Sequence, residues 1–102
     1  MKFQLVLQWP ASSIKDYDTM VDIESLLIDR LSSEHEVDGH DAGSGEVNIF
    51  IHTNQPESAF AQAKTILGTQ DFWVDARVAY RESTGNQYTV LWPKDLDEFK
   101  II

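Results

Sequence analysis

Residues 34–52 read EHEVDGHDAGSGEVNIFIH, and this stretch decides the fold. Its second half, Val47–His52, is rich in β-formers and apolar at nearly every position, which is typical of a strand with neighbours on both edges. Its first half has only Val37 as an apolar residue of any size, as expected of an edge strand guarded against aggregation. Glycines separate the two halves, so the stretch is predicted to form a β-hairpin.

A helix is predicted on each side of this hairpin. From Asp16 to about Leu31, apolar residues recur at spacings of three and four, and acidic residues occupy mainly the other face. The second helix begins at residues 54–57, with a proline in its first turn, and ends at Gly68, which favours a left-handed C-cap.

Three further strands complete the pattern. Residues 3–9 alternate with period two and stop at Pro10, residues 74–81 alternate in the same way, and residues 88–92 follow a turn. The predicted fold is a single α+β domain over residues 1–102, a ferredoxin-like β-α-β-β-α-β sandwich with an additional C-terminal strand. Both helices then lie on one face of a mostly antiparallel sheet, and the other face stays open. Residues 95–99 are predicted to form one helical turn.

The charge is strongly localised. The chain has 17 acidic and 8 basic residues, for a net charge of −9, and the segment from Asp16 to Glu46 holds ten acids against a single base, Arg30. Such a field repels phosphate backbones and anionic lipids, so nucleic-acid and membrane partners are not expected. It would attract a basic protein, although acidic residues also serve solubility alone.

Composition excludes several classes of site. The chain has no cysteine, which rules out a disulfide scaffold, a thiolate metal site and a cysteine nucleophile. No stretch reaches the roughly 18–20 apolar residues that cross a bilayer, and Gln4 and Gln8 interrupt the N-terminal apolar run. We therefore expect a cytoplasmic protein.

The segment from Asp38 to Glu46 is the richest in chemical groups. It leads into a strand and lacks a third glycine, so it fails the dinucleotide-binding pattern; it also has no Walker lysine and no calcium-loop spacing. His35 and His40 lie five apart on the predicted strand and would point to opposite faces, which argues against a shared metal. No cofactor, metal ligand or catalytic residue is therefore assigned. The candidate ligand or partner residues are Asp38, His40, Asp41, Ser44, Glu46, Trp9 and Trp92.

The two tryptophans enter that set because two strands end in Trp-Pro, at residues 9–10 and 92–93. Two such strand ends could meet as an aromatic platform at one end of the sheet. Alternatively, each tryptophan caps the core and each proline stops its strand.

The pattern DGHDxGSGExNIFI, at residues 38–51, resembles a segment of a family of small bacterial proteins of about this length that have no established activity. The resemblance covers most of the chain and implies a bacterial cytoplasmic protein. It directs attention to the hairpin and implies no ligand.

Three functions stay open from the sequence. The first is a non-catalytic protein-interaction or ligand-binding domain, which either self-associates or binds a protein partner. A second is an immunity- or antagonist-type protein that covers a basic partner with its acidic surface, residues 16–46. The third is a small enzyme in which His40 and Asp41, near the hairpin, act as an acid–base pair.

Overall fold

The computed structural model describes residues 2–12, 17–43, 45–68, 73–96, 98–99 and 101. Within these residues the chain forms two helices and five strands. In chain order they are β1 (Phe3–Pro10), α1 (Tyr17–Arg30), β2 (His35–Gly43), β3 (Glu46–Thr53), α2 (Pro56–Leu67), β4 (Arg77–Glu82) and β5 (Thr89–Trp92).

The five strands form one sheet in the order β2-β3-β1-β4-β5, and each neighbouring pair is antiparallel. β1 lies in the centre, where Leu5 pairs with Ile51 of β3 on one side and with Tyr80 of β4 on the other. The predicted α+β class, with two helices and an antiparallel sheet, is confirmed.

The larger core lies between the sheet and the helices. Leu5, Leu7 and Trp9 of β1 point into it, because alternate residues of a strand share a face. Buried residues of both helices belong to the same cluster, so both helices pack on this side of the sheet. They are Met20, Ile23 and Leu27 of α1 and Ala59, Phe60 and Ala63 of α2. We call this side the helix face and the other side the reverse face.

The reverse face is not open, contrary to the prediction. Phe99, which follows the last strand, packs on Val6 of β1 and Ala79 of β4, and its ring lies 4.9 Å from that of Tyr88. A second, smaller core therefore covers the middle of this face. The sequence pattern did not reveal it because the few apolar side chains of residues 93–101 predict at most one helical turn and no packing against the sheet.

Two boundaries differ from prediction. The alternation of Val74 and Ala76 resembles a strand, but the Ala76 N–H donates to the Trp73 carbonyl in a turn, and Val74 is 74% exposed. β4 therefore begins at Arg77. Near the end of the chain, the Leu96 N–H donates to the Pro93 carbonyl, so a turn lies slightly before the predicted helical turn at residues 95–99. Residue 97 is outside the described residues.

A β-bulge in β2 changes which face its histidines occupy. The register with β3 shifts between Val37 and Gly39, whose φ is +145°. Asp38 is the extra residue of the bulge and has no partner in the register. As a result, His35 pairs with Thr53 and His40 with Ile49, and both partners lie on the helix face. The prediction that the two histidines point to opposite faces was wrong, since it assumed a regular strand.

Candidate functional site

The hairpin of β2 and β3, which we call the acidic hairpin, contacts α1 through His40. Its Nδ1 lies 2.9 Å from Oε2 of Glu24 in α1, and the two side chains are 28% and 15% exposed. A carboxylate can orient an imidazole for proton transfer in this way. Among the described residues, however, neither lines the cleft beside the end of β4, the depression on α1 or the groove between the two helices. The contact joins β2 to α1, and the enzyme hypothesis stays a prediction.

Asp38 lies on the other side of the sheet from His40. Its Oδ2 is 3.5 Å from Nε2 of His52, which belongs to the reverse face, and both side chains are substantially exposed. Asp41 is also exposed and pairs in register with Asn48 on that face. The candidate residues of the hairpin are therefore divided between two faces and do not converge on one point.

Glu46 lies where the hairpin returns to the sheet. Its side chain is mostly buried, with Oε2 3.9 Å from Nη1 of Arg77, and its Oε1 has no hydrogen-bond partner among the described residues. Ser44, the remaining candidate in this segment, lies outside the described residues. The Glu46 carboxylate is thus held by one long ion pair near the strand end.

The two tryptophans belong to the packing of the helix face. Trp9 is 1% exposed, and its ring lies 5.7 Å from that of Trp73. Trp92 is half-buried; its Nε1 donates to the Trp73 carbonyl, and its ring lies 5.0 Å from Nζ of Lys64. Both tryptophans therefore contact Trp73 near one end of the core, and only Trp92 reaches the surface.

A buried amide pair lies on the reverse face and was missed from the sequence. Nε2 of Gln8 donates to Oδ1 of Asn48 across β1 and β3, at 3.0 Å, and both residues are almost fully buried. The sequence feature that could have indicated this pair is that each amide residue interrupts a strongly apolar strand. Asp41, Asn48, Gln8 and Arg77 occupy successive strands at this level, so they form one polar row across the sheet.

Replacing Asn48 with alanine is expected to lower the free energy of unfolding by about 0.5–1.5 kcal/mol, because the buried hydrogen bond from Gln8 to its Oδ1 is lost. The double variant Gln8→Leu/Asn48→Leu should lose less than the sum of the two single leucine variants, since both polar groups leave together. Urea unfolding of the wild type, the two single leucine variants and the double variant measures the coupling free energy between Gln8 and Asn48. Additive losses would show that the amide pair does not act as a unit.

Six of the exposed acidic residues of segment 16–46 form two groups on different sides of the molecule. Exposed Asp18, Asp22 and Asp29 lie along one side of α1, at spacings of four and seven, facing away from the sheet. We call this the α1 stripe. Glu36 and Asp41 pair with His52 and Asn48 of the reverse face, and Asp38 contacts His52 there. These three acids are the β2 group.

Apolar surface accompanies the α1 stripe. Ile28 is 63% exposed and, together with the half-buried Leu26, lines a shallow depression that also includes Asp22 and Asp29. Arg30, the one base of the segment, lies instead in the groove between α1 and α2. The stripe thus combines acidic side chains with an accessible aliphatic contact.

Comparison with protein-family models, with curated proteins and with solved structures finds no match. Among the described residues, no three or more His, Asp and Glu side chains are grouped so that they could hold a metal ion. In the same part of the chain, neither helix is long and apolar enough to cross a membrane.

Proposed function

We propose that this chain is a non-catalytic protein-interaction domain that binds a basic protein through the α1 stripe, in the manner of an immunity or antagonist protein. The observation that carries the proposal is the exposed Ile28 beside Asp22 and Asp29. Carboxylates attract and orient a basic partner, while a desolvated apolar contact supplies lasting affinity.

The stripe suits this role better than the β2 group does. In the β2 group, Asp38 has an imidazole 3.5 Å away, in His52, which reduces its availability to a partner. For Asp18, Asp22 and Asp29 no ion pair occurs within the described residues, and Ile28, 63% exposed, adds an accessible aliphatic side chain beside them. The stripe also lies on a regular helix, a rigid support for an interface.

Neutralising the stripe tests this proposal against a variant of matched charge. Asp18→Asn/Asp22→Asn/Asp29→Asn and Glu36→Gln/Asp38→Asn/Asp41→Asn each remove three negative charges. The partner is captured from lysate of the source cells with the wild-type chain at low salt, purified, and its Kd measured against all three proteins. We expect the stripe variant to bind about tenfold more weakly or worse, with the β2-group variant close to wild type.

Salt and the apolar contact provide the second part of the test. Raising the salt from about 0.05 to 0.5 M should weaken wild-type binding steeply, because exposed charges are screened beyond about 4 Å at that strength. Ile28→Ser should speed dissociation without altering the salt dependence. If both charge variants weaken partner binding equally, the net charge of the chain and not the α1 stripe determines the affinity. If the Kd does not depend on salt, the stripe is not the interface.

The proposal extends to the fold. We infer a ferredoxin-like domain in which β5 is added beside β4. The support is the order β2-β3-β1-β4 of the first four strands, with one helix in each crossover, which is the split βαβ arrangement. Self-association, the other partner predicted from the sequence, stays a prediction that sedimentation velocity of the same proteins can test.

A further inference from the structure

A cleft of about 510 Å³ lies at the end of the sheet opposite the acidic hairpin. It is bounded by Phe3 at the start of β1, by the end of β4 and by the connection from β4 to β5. Small-molecule sites typically measure 300–1,000 Å³, so the cleft has room for a small ligand. None of the residues considered above for partner binding contributes to it.

Arg81 is the cation of this cleft, and its position is fixed by the chain itself. Its Nη1 donates to the carbonyls of Glu82, Ser83 and Gly85, each at 3.0 Å. These bonds hold the guanidinium inside the turn. They are made to neutral carbonyls, so they leave its positive charge uncompensated.

The other side of the same guanidinium is unused. Within the described residues, Nε and Nη2 of Arg81 have no hydrogen-bond acceptor, and no carboxylate lies within ion-pair distance of this side chain. The hydrogens of Nε and Nη2 point to the same side, which is the geometry in which a guanidinium donates to both oxygens of a carboxylate. A fixed, uncompensated guanidinium lining a cleft therefore favours a carboxylate ligand.

Aromatic and amide groups line the rest of the cleft. The Phe3 and Tyr80 rings meet edge to face, with centroids 5.6 Å apart, and both residues are half-buried. Asn86 and Gln87 bring exposed amide side chains. Rings that are only partly covered can pack against a planar apolar group, while amides can bond polar substituents.

One acid also lines the cleft. Glu82 follows Arg81 in β4, so the two side chains leave the strand toward opposite faces, and no described residue forms an ion pair with it. Its charge opposes that of a carboxylate ligand. Neutralising Glu82 should therefore strengthen carboxylate binding, whereas neutralising Arg81, the adjacent residue, should weaken it.

We propose that this cleft binds a small aromatic carboxylate. Arg81 leaves β4 toward the reverse face but its guanidinium curls into the turn at the strand end, where it lines the same cleft as Phe3 and Tyr80 of the helix face. The carboxylate accepts hydrogen bonds from Nε and Nη2 of Arg81, and the ring lies over the strand end against Phe3 and Tyr80. The site is separate from the α1 stripe and does not depend on its function.

Benzoate and benzamide are suitable probes, because they share size and shape and differ in charge. Amide chemical shifts of the ¹⁵N-labelled chain are followed during titration at constant ionic strength. We expect benzoate to shift the resonances of residues 80–89 with a Kd of about 1 mM, in line with its few heavy atoms, and benzamide to bind about tenfold more weakly. Equal binding of the two probes, or benzoate shifts confined to other residues, would overturn the proposal.

Variants at neighbouring positions assign the effect to residues. Arg81→Gln should weaken benzoate binding about tenfold, and Glu82→Gln should strengthen it at least twofold. Arg77→Gln, which removes a charge from the same strand outside the cleft, should leave it unchanged. Because Arg81→Gln also removes the bonds to the turn, Glu82→Gln and the benzamide comparison decide the matter if that variant is misfolded. Unchanged or weaker benzoate binding in Glu82→Gln would count against the site. Equal losses of benzoate affinity in Arg77→Gln and Arg81→Gln would do the same.

Discussion

Replacing Trp9 with alanine is expected to lower the free energy of unfolding by about 3–5 kcal/mol, the usual range for truncating a large buried aromatic. Trp9 is 1% exposed and packs against Trp73, which in turn lies 5.7 Å from the Phe60 ring. The change therefore leaves a cavity where β1, α2 and the turn before β4 meet. A domain of this size has only about 5–15 kcal/mol to lose.

Urea unfolding followed by far-ultraviolet circular dichroism measures this effect without depending on tryptophan fluorescence. Val74→Ala, at an exposed position next to Trp73, is the matched control and should change stability by less than about 0.5 kcal/mol. Trp9→Phe fills part of the cavity and should fall between the two. A loss below about 1 kcal/mol in Trp9→Ala would mean that Trp9 is not part of the core and would reopen the aromatic-platform hypothesis.

Phe99→Ala is expected to produce the second large loss, about 3 kcal/mol, at the low end of the range for a buried phenylalanine. Phe99 is nearly buried on Val6 and Ala79, and its ring contacts that of Tyr88. Without it, the segment after β5 loses its main apolar contact with the reverse face. The loss should therefore appear in the unfolding of the whole domain, because Val6 belongs to the central strand β1 and Ala79 to its neighbour β4.

Hydrogen exchange separates this outcome from a local one. If Phe99 supports the whole domain, amides of β1 and β4 exchange faster in Phe99→Ala by the factor that the measured loss of stability predicts. Faster exchange confined to residues 88–101, with unfolding by urea unchanged, would show that the tail covers the sheet without stabilising it. Ile28→Ala, at an exposed position, is the control and should leave both measurements unchanged.

Much of the architecture could be predicted because local signals were consistent. The alternation in residues 3–9, the helical spacing from Asp16 to Leu31 and the apolar run at 47–52 correspond to β1, α1 and β3 within a residue or two. Gly68 ends α2 with a positive φ of +76°, as its position suggested, and its N–H donates to the Lys64 carbonyl. In these elements propensity, pattern and capping agree.

The candidate site was harder to predict because one bulge reverses the alternation of β2. A strand read with period two places His35 and His40 on opposite faces, yet both lie on the helix face after the register shift. Glycine in that segment signals irregularity without saying where the extra residue falls. The contact between His40 and Glu24 depends on this shift and on the docking of α1, which no local pattern records.

The cleft at Arg81 was missed for a related reason. Nothing in the sequence of residues 81–89 indicates that three carbonyls will bind one nitrogen of the guanidinium and leave the others unused. Phe3 joins the cleft from the far end of the sequence because β1 lies beside β4. Sites assembled from distant strands become visible only after the sheet order is known.

The central position of β1 bears on how the chain is made. β1 is the first of the five strands to be synthesised, but its partners β3 and β4 come about halfway and three-quarters of the way along the chain. At 5–20 residues per second, a ribosome needs roughly 4–15 s to travel from β1 to β4. Until β3 has been made, this apolar strand has both hydrogen-bonding edges open, and the edge that pairs with β4 stays open for the whole interval. The central strand of the finished sheet is thus the one that most needs protection during translation.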